Sequence, residues 1–242
     1  MFFDEMSILS PAQTIQSLKE LAALADSDCL LCGALRAGEV CEACIEDLQQ
    51  TSGSCPRCAL PLPFTQRCGA CIAHAPAFDA TTALFTYRFP LDRLVHRFKY
   101  AGDLAIGRWL AMRLAERVRD EPRPDAIVVP PTTRMRLHER GFNPAGEIAK
   151  VVAPACRAHL DLGLVVRTRE QVPQAGLTRR ERLANLRGAF RCASPVRGMD
   201  VAIVDDVMTT GATADAIARE LKAAGATRVR VWTVARTPQA AR

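Results

Sequence analysis

The 242-residue chain is poor in aromatic side chains, at 5%, with two Trp and two Tyr. So few rings leave little material for the stacking platforms on which sequence-tolerant single-strand binders rely. Long apolar runs are also missing. None approaches the roughly 20 residues that cross a bilayer. The opening segment MFFDEMSILS carries Asp4 and Glu5 where a secretory signal needs positive charge, so a soluble, cytoplasmic chain with no membrane span is expected. A Walker loop is excluded because no GK pair followed by Ser or Thr closes a Gly-rich turn, and a dinucleotide fingerprint because GxGxxG is missing. The four histidines, His74, His96, His138 and His159, are scattered. No Ser/His/Asp or Cys/His set points to a covalent nucleophile.

What is present is an ordinary globular composition, 49% apolar and 24% charged, with length for one sizeable domain and a small one. The net charge of +6 is unevenly spread. Residues 1–77 hold 4 Lys/Arg against 9 Asp/Glu, a net of −5, and residues 78–242 hold 28 against 17, a net of +11. The basic part suits a polyanion, either a diphosphate sugar or a nucleic acid, although much of it also reads as a solvated Arg-rich surface.

Eight of the ten cysteines form four CxxC pairs: Cys29/Cys32, Cys41/Cys44, Cys55/Cys58 and Cys68/Cys71, separated by 8, 10 and 9 residues. A CxxC turn lets two thiolates converge on one ion, and two turns complete a tetrahedral site. Four pairs therefore predict two structural Zn2+ ions. A disulfide scaffold does not suit a chain read as cytosolic, and thioredoxin-like chemistry lacks its βαβ setting. The even gaps favour sequential sites, as in tandem zinc ribbons; a cross-braced arrangement uses the same residues and stays open. So short a segment buries little core, and the metal would supply its folding energy. Cys156 and Cys192 stand apart and read as buried small apolar residues.

Three segments follow: an N-terminal amphipathic helix within residues 1–27, a double zinc-ribbon module over 28–77, and an α/β domain over 78–242. The first rests on Pro11–Asp26, where Ile15, Leu18, Leu21, Ala22 and Ala25 share one helical face. In the last, strand-like runs at Thr81–Tyr87, Ala126–Val129, Leu162–Arg167, Val201–Val204 and Val229–Ala235 alternate with helical segments at Pro90–Lys99, Leu104–Arg119, Ala145–His159 and Thr213–Ala224. Such alternation predicts a parallel sheet flanked by helices, with ligands at the carboxyl ends of the strands.

The stretch Val201–Thr213, VAIVDDVMTTGAT, carries the chemistry. Asp205 and Asp206 close an apolar strand, where two carboxylates are costly without a role. Thr209, Thr210, Gly211, Ala212 and Thr213 then open a helix, and successive N–H groups at such a turn make an anion nest reinforced by the helix dipole. Carboxylates for sugar hydroxyls and donors for a phosphate suit a ribose 5-phosphate. The blander reading, a βα turn with an Asp and a Thr cap, leaves the whole string unexplained.

That string resembles the phosphoribosyl diphosphate (PRPP) signature of type I phosphoribosyltransferases. With HRFKYAGDLAIG, VVPPTTRMRLHERGFN, RTREQVPQAGLTRRERLANLRGAF and the Cys-rich front, residues 28–237 resemble the ComF family of competence-associated, phosphoribosyltransferase-like proteins. The chain departs from that pattern at Asn143-Pro144 and Pro131-Thr132. The resemblance implies the type I phosphoribosyltransferase fold, with Asp205 and Asp206 on the ribose and Thr209–Thr213 on the 5-phosphate. It places Lys99, Tyr100 and the segment Pro130–Asn143, with Arg134 and Arg140, toward the diphosphate and its Mg2+. Lys99, Arg134 and Arg140 would assist catalysis, and Gln174, Arg179, Arg182 and Asn185 would form a hood over the acceptor. Asn143 also reads as a helix cap before Pro144. The resemblance further implies DNA uptake as the setting, with single-stranded DNA, a helicase-type motor and a recombination mediator as partners. Two alternatives stand beside transfer from PRPP: a non-catalytic DNA- or partner-binding module on the same fold, and a nucleobase salvage enzyme, in which the zinc module has no obvious place.

Overall fold

The chain divides into two compact units, Met1–Asp47 and Leu48–Arg242. The computed structural model describes residues 28–35, 39–48, 53–168 and 188–238. The helix expected over Pro11–Asp26 and the hood residues Gln174, Arg179, Arg182 and Asn185 lie outside the described residues. The smaller unit contains Cys29, Cys32, Cys41 and Cys44, the last within helix α1 (Glu42–Asp47). The larger unit begins ahead of the border expected at residue 78 and includes the second cysteine quartet, with α2 (Gly69–Ala73) inside it.

The larger unit is built on a parallel five-stranded sheet of order β1-β7-β6-β2-β3. Its strands are β1 (Ala80–Thr86), β2 (Ala126–Val128), β3 (His159–Leu160), β6 (Asp200–Met208) and β7 (Arg228–Arg236). Between them run α3 (Leu91–Ala101), α4 (Leu104–Val118), α5 (Arg134–Arg140), α6 (Pro144–Ala155) and α7 (Ala212–Ala223). Strands β4 (Val165–Arg167) and β5 (Phe190–Cys192) form a separate antiparallel pair. Among the described residues, no helix is long and apolar enough to cross a membrane.

Strands covered on both faces need apolar residues at consecutive positions, and after Asp200 β6 runs through Val201, Ala202, Ile203 and Val204, all fully buried. Val201 and Ile203 share one cluster with Val229 and Val231 of β7, Ile217 and Leu221 of α7, and the cysteines of the second quartet. On α3 the predicted face, Leu91, Leu94, Val95 and Phe98, is the buried one. Each such side chain contributes about 1.5–3 kcal/mol by leaving water. Gly107 of α4 lies against the Phe98 ring, where a Cβ would collide.

Several elements differ from the expectation. Strand β6 runs past Val204 to Met208, because β7 continues to pair with it as far as Met208↔Arg236. Helix α6 stops at Ala155, with Pro154 in its last turn, and His159 instead begins the edge strand β3, paired with β2. The run from Leu162 becomes a strand only at Val165, because the Asp161 carboxylate accepts the N–H groups of Gly163 and Leu164 and holds a turn there. That strand pairs antiparallel with β5, outside the parallel sheet. Cys156 and Cys192 are half-buried rather than buried, and the Cys192 thiol donates to the Ser194 carbonyl at 3.1 Å.

Candidate functional site

The strand order fixes where the sheet opens. From β6 the chain crosses through α7 to β7 on one side, and from β2 it crosses through α5 and α6 to β3 on the other. Connections leaving in opposite directions create a crevice at the carboxyl ends of the two strands. Strands β6 and β2 pair only from Ala126↔Val201 to Val128↔Ile203. Beyond that, Val129 leads into Pro130-Pro131, and β6 continues alone on that side with Asp205 and Asp206.

The two carboxylates are held by local bonds. Asp205 accepts the Asp206 N–H at 2.9 Å, and Asp206 accepts the Val207 N–H at 2.6 Å. The Lys99 ammonium, in the last turn of α3, lies 2.8 Å from Asp206 Oδ2, and both side chains are mostly buried. Burial, then the neighbouring Asp206 carboxylate, push Asp205 well above the ordinary carboxylate range, while Lys99 pulls the other way. The site therefore binds a proton on Asp205 more readily than water would.

The other expected residues stand as follows. Tyr100, the neighbour of Lys99, is exposed and carries the Arg140 guanidinium over its ring, 4.7 Å from the centroid. Arg140 Nε is buried with no hydrogen-bond partner. Phe98 and Phe142 meet at 5.4 Å, so α3 and the turn after α5 pack together. Asn143 occupies the cap position of α6, but its side chain makes no capping bond; it donates to the Pro130 carbonyl at 3.1 Å. Arg134 stands exposed in the first turn of α5, which Thr133 caps.

After β6, Thr209, Thr210 and Gly211 turn into α7. Gly211 sits at φ 76°, in the left-handed region, and a Cβ there would lie 2.6 Å from Met208 Cε. The backbone favours glycine there, and for any larger residue the flexible Met208 side chain would have to shift. The Thr210 hydroxyl accepts the Ala212 N–H at 3.3 Å. The other loop hydroxyls and the first N–H groups of α7 can serve an anion.

Arg167 opens the Arg-rich stretch read from the sequence as a hood, whereas Asp215 and Arg236 are not singled out there. Arg167 of β4 donates to the Pro131 carbonyl at 3.3 Å and covers the Phe190 ring. Asp215 in α7 accepts the Ala77 N–H at 2.6 Å. Arg236, at the end of β7 and buried, donates to the Cys58 and Met208 carbonyls at 2.8 and 3.2 Å and also to Thr209 O. No pattern marks Asp215 or Arg236 in the sequence, since β7 carries Arg228 and Arg230 as well and Asp215 lies in a helix among other polar residues.

The cysteines gather as two sequential quartets, Cys29/Cys32/Cys41/Cys44 and Cys55/Cys58/Cys68/Cys71, with the sulfurs of each within 4.8 Å of one another. Sulfurs at tetrahedral corners 2.3 Å from an ion stand about 3.8 Å apart. Cys32–Cys41 and Cys58–Cys68 each measure 3.7 Å. In the first quartet burial raises Cys29, but the N–H groups of Cys32, Cys41 and Leu31 outweigh it and bring the thiol down to about 6. Cys55 behaves alike in the second: N–H groups of Cys68, Cys58 and Arg57 overcome burial and lower it to about 7. Each quartet thus holds a thiolate anchor and can bind a metal ion.

The phosphoribosyl transferase domain family matches residues 107–242. The chain is 35% identical to the DNA utilization protein YhgH of Salmonella typhi over 219 residues, which is 86% of this chain and 96% of that protein. It is 32% identical to competence protein F of Haemophilus influenzae over 213 residues, 81% of this chain and 90% of that one. Among solved structures, a purine phosphoribosyltransferase from Pyrococcus horikoshii is similar at 20% identity with a TM-score of 0.32, over 64% of this chain and 78% of that chain.

Proposed function

The chain belongs to the ComF family of phosphoribosyl transferase-domain proteins, and on that premise we propose that it binds PRPP with Mg2+ and serves the handling of incoming DNA in the cytoplasm. The observation that carries the ligand reading is the Lys99–Asp206 contact of 2.8 Å, which sets a cation and two carboxylates at the crevice beside the helix start at Gly211. Asp205 and Asp206 accept the ribose hydroxyls. Thr209, Thr210, Gly211, Ala212 and Thr213 take the 5-phosphate through N–H and hydroxyl donors. Lys99, Tyr100, Arg134 and Arg140 face the diphosphate, and Asn143 holds the Pro130 turn that borders it.

The chemistry such a site supports is displacement of diphosphate from C1 of the sugar by an incoming nucleophile. Negative charge builds on the leaving group, and Lys99, Arg134 and Arg140 stabilise it. Bound with the diphosphate, Mg2+ supplies further Lewis-acid neutralisation. Gln174, Arg179, Arg182 and Asn185 are the residues assigned to the acceptor side. The eight cysteines hold two structural Zn2+ ions, closed by four sulfurs each and so without an open catalytic position.

The DNA setting rests on the relatives, a DNA utilization protein and a competence protein. It also rests on the net charge of +11 over residues 78–242, which suits single-stranded DNA as a polyanion. A helicase-type motor and a recombination mediator are the protein partners that fit this setting.

Calorimetric titration with PRPP-Mg2+, comparing the natural protein with the Asp205→Asn/Asp206→Asn variant, tests the ligand. We expect binding by the first and at least a tenfold loss in the second; indistinguishable titrations overturn the reading. For DNA, the affinity for a single strand is measured across a salt series. A steep fall with salt is expected, and a slope near zero removes the polyanion argument.

A further inference from the structure

We propose that Arg236 couples the second cysteine quartet to the phosphate loop, so that the metal state of that quartet sets how firmly the loop is held. The inference rests on the proposed metal in Cys55/Cys58/Cys68/Cys71 and extends the proposed ligand site.

The guanidinium of Arg236 reaches three separate parts of the chain. Its Nε donates to the carbonyl of Cys58, a member of the quartet, at 2.8 Å. One terminal nitrogen donates to Met208 O at 3.2 Å, to Thr209 O, and to Thr237 O at 2.8 Å. Met208 and Thr209 are the last residue of β6 and the first of the phosphate loop. Arg236 is 6% exposed, so the Cys58 and Thr209 carbonyls have little recourse to water if the donor is lost, while Met208 O keeps the Thr237 N–H at 3.1 Å. A planar, always charged fork is suited to holding several acceptors in a fixed relation.

Two further ties run the same way. Asp215, in the first turn of α7, accepts the N–H of Ala77, a few residues beyond Cys71. Phe78 shares the quartet's apolar cluster with Met208, and both rest under Gly211, within 4 Å of where a Cβ would stand. Between these ties the quartet and the loop face each other across a cavity of 1130 Å³, lined by Cys58, Leu60, Phe78, Phe190, Thr209 and Gly211 among others. The mechanical link therefore passes through identified groups rather than a continuous packed wall. Metal binding fixes the four sulfurs and with them the Cys58 peptide. Without the metal that carbonyl is free to move, and Arg236 has two loop carbonyls whose geometry depends on it. Coupling between sites requires an element that both sites bias, and the Arg236 side chain is that element.

The test is a cycle on the full zinc-loaded chain, comparing the natural protein with Arg236→Met, which keeps an unbranched apolar stem and removes the donors. Amide hydrogen exchange of Ala212, Asp215 and Thr237, whose N–H groups bond to Thr210, Gly211 and Met208 of the loop region, is read before and after zinc is stripped with a chelator, with Val201–Val204 of β6 as internal reference. In the natural protein, stripping is expected to speed exchange of the loop amides about tenfold, the scale of losing hydrogen bonds to buried carbonyls, with the reference amides unchanged. In Arg236→Met the loop starts faster, and stripping changes it less than about twofold. Arg236→Lys, which retains the charge and a donor, falls between. Equal sensitivity to stripping in the natural protein and Arg236→Met overturns the coupling, as does an insensitive loop in the natural protein or loss of protection in β6 to the same degree. Because exchange is read without ligand, a negative PRPP-Mg2+ titration of the zinc-loaded natural protein overturns the ligand reading alone.

Discussion

Replacing Lys99 with Met tests the electrostatics of the crevice where they are most exposed to measurement. The Lys99 ammonium is 2.8 Å from Asp206 Oδ2, with side-chain exposures of 17% and 15%. Deleting one partner of a fully buried pair costs about 3–5 kcal/mol, because the other charge is stranded. Partial access to water and the local N–H donors bring this to about 1–3 kcal/mol here. The distinctive expectation is its pH dependence. Asp205 binds its proton more tightly in the folded state than in the unfolded chain, owing to burial and Asp206, against the pull of Lys99. A carboxyl of this kind stabilises the fold fully below its unfolded value, near 3.9, and loses that contribution as pH rises through the folded value. Removing Lys99 removes the opposing pull, so the folded value rises further and the alkaline loss deepens. The cost of Lys99→Met should rise with pH on passing through the folded value, by on the order of 1 kcal/mol, the worth of a tenfold change in proton affinity. Urea unfolding of both proteins across a pH series, with zinc present throughout, gives the number as a difference of differences, in which effects common to both cancel. A cost that is flat across the series, or that falls as pH rises, would refute the assignment of the carboxyl pair and its lysine as one electrostatic unit.

Three further outcomes are expected. Gly107→Ala, whose Cβ would strike the Phe98 ring, should cost about 1–3 kcal/mol by overpacking, seen in thermal unfolding. By displacing α3, which carries Lys99 and Tyr100, it should also weaken PRPP-Mg2+ binding. Arg230→Met should cost about 3 kcal/mol in urea unfolding. That residue is 2% exposed and bonds to Asp200 and the Pro122 carbonyl, with Glu121 at 3.7 Å. Metal analysis after dialysis should find two zinc ions per chain at pH 8 and progressive loss on acidification, as protons compete with the metal for the eight thiolates.

The parts of the fold legible in the sequence were those carried by local periodicity. The face of α3 and the apolar runs of β2, β6 and β7 follow from spacing alone, and the quartets follow from the CxxC repeat. What stayed hidden depends on partners distant in the chain. Strand β6 reaches Met208 only because Arg236 pairs beside it, and two acids and a methionine give no sign of that. His159–Leu160 is too short to show any period, and it is a strand only because Ala126 and Ile127 lie alongside. The second quartet reads as a separate module because its spacing matches the first. In the folded chain, however, Thr81 donates to the Arg57 carbonyl at 2.8 Å and Arg57 to that of Pro76 at 2.8 Å, which tie the knuckle to β1. The site was legible as a list of residue types. The pairing of Lys99 with Asp206, and of Arg140 with Tyr100, required the crevice.

Those pairings also bear on how a site for a highly charged ligand remains folded without it. Two adjacent carboxylates and a nearby cluster of cations would each be costly alone. Here Lys99 is held by Asp206, Arg140 lies over the Tyr100 ring, and Asp205 binds a proton more readily than it would in water. In the free crevice the Lys99–Asp206 pair is thereby neutralised, while Arg140 keeps its charge over the Tyr100 ring. On the proposed reading, ribose hydroxyls take over the carboxylates while the diphosphate offers Lys99 and Arg140 a stronger partner, so binding exchanges one set of charge pairs for another rather than burying new charge. Such an exchange releases the Asp205 proton, since a carboxylate accepting hydroxyl donors is stabilised in its charged form. PRPP-Mg2+ binding should therefore be accompanied by proton release and tighten as pH rises, up to the pH at which Asp205 is already charged in the free protein. Calorimetric heats that do not change with the ionisation enthalpy of the buffer would show that no proton moves, and that the carboxylates meet the ligand already charged.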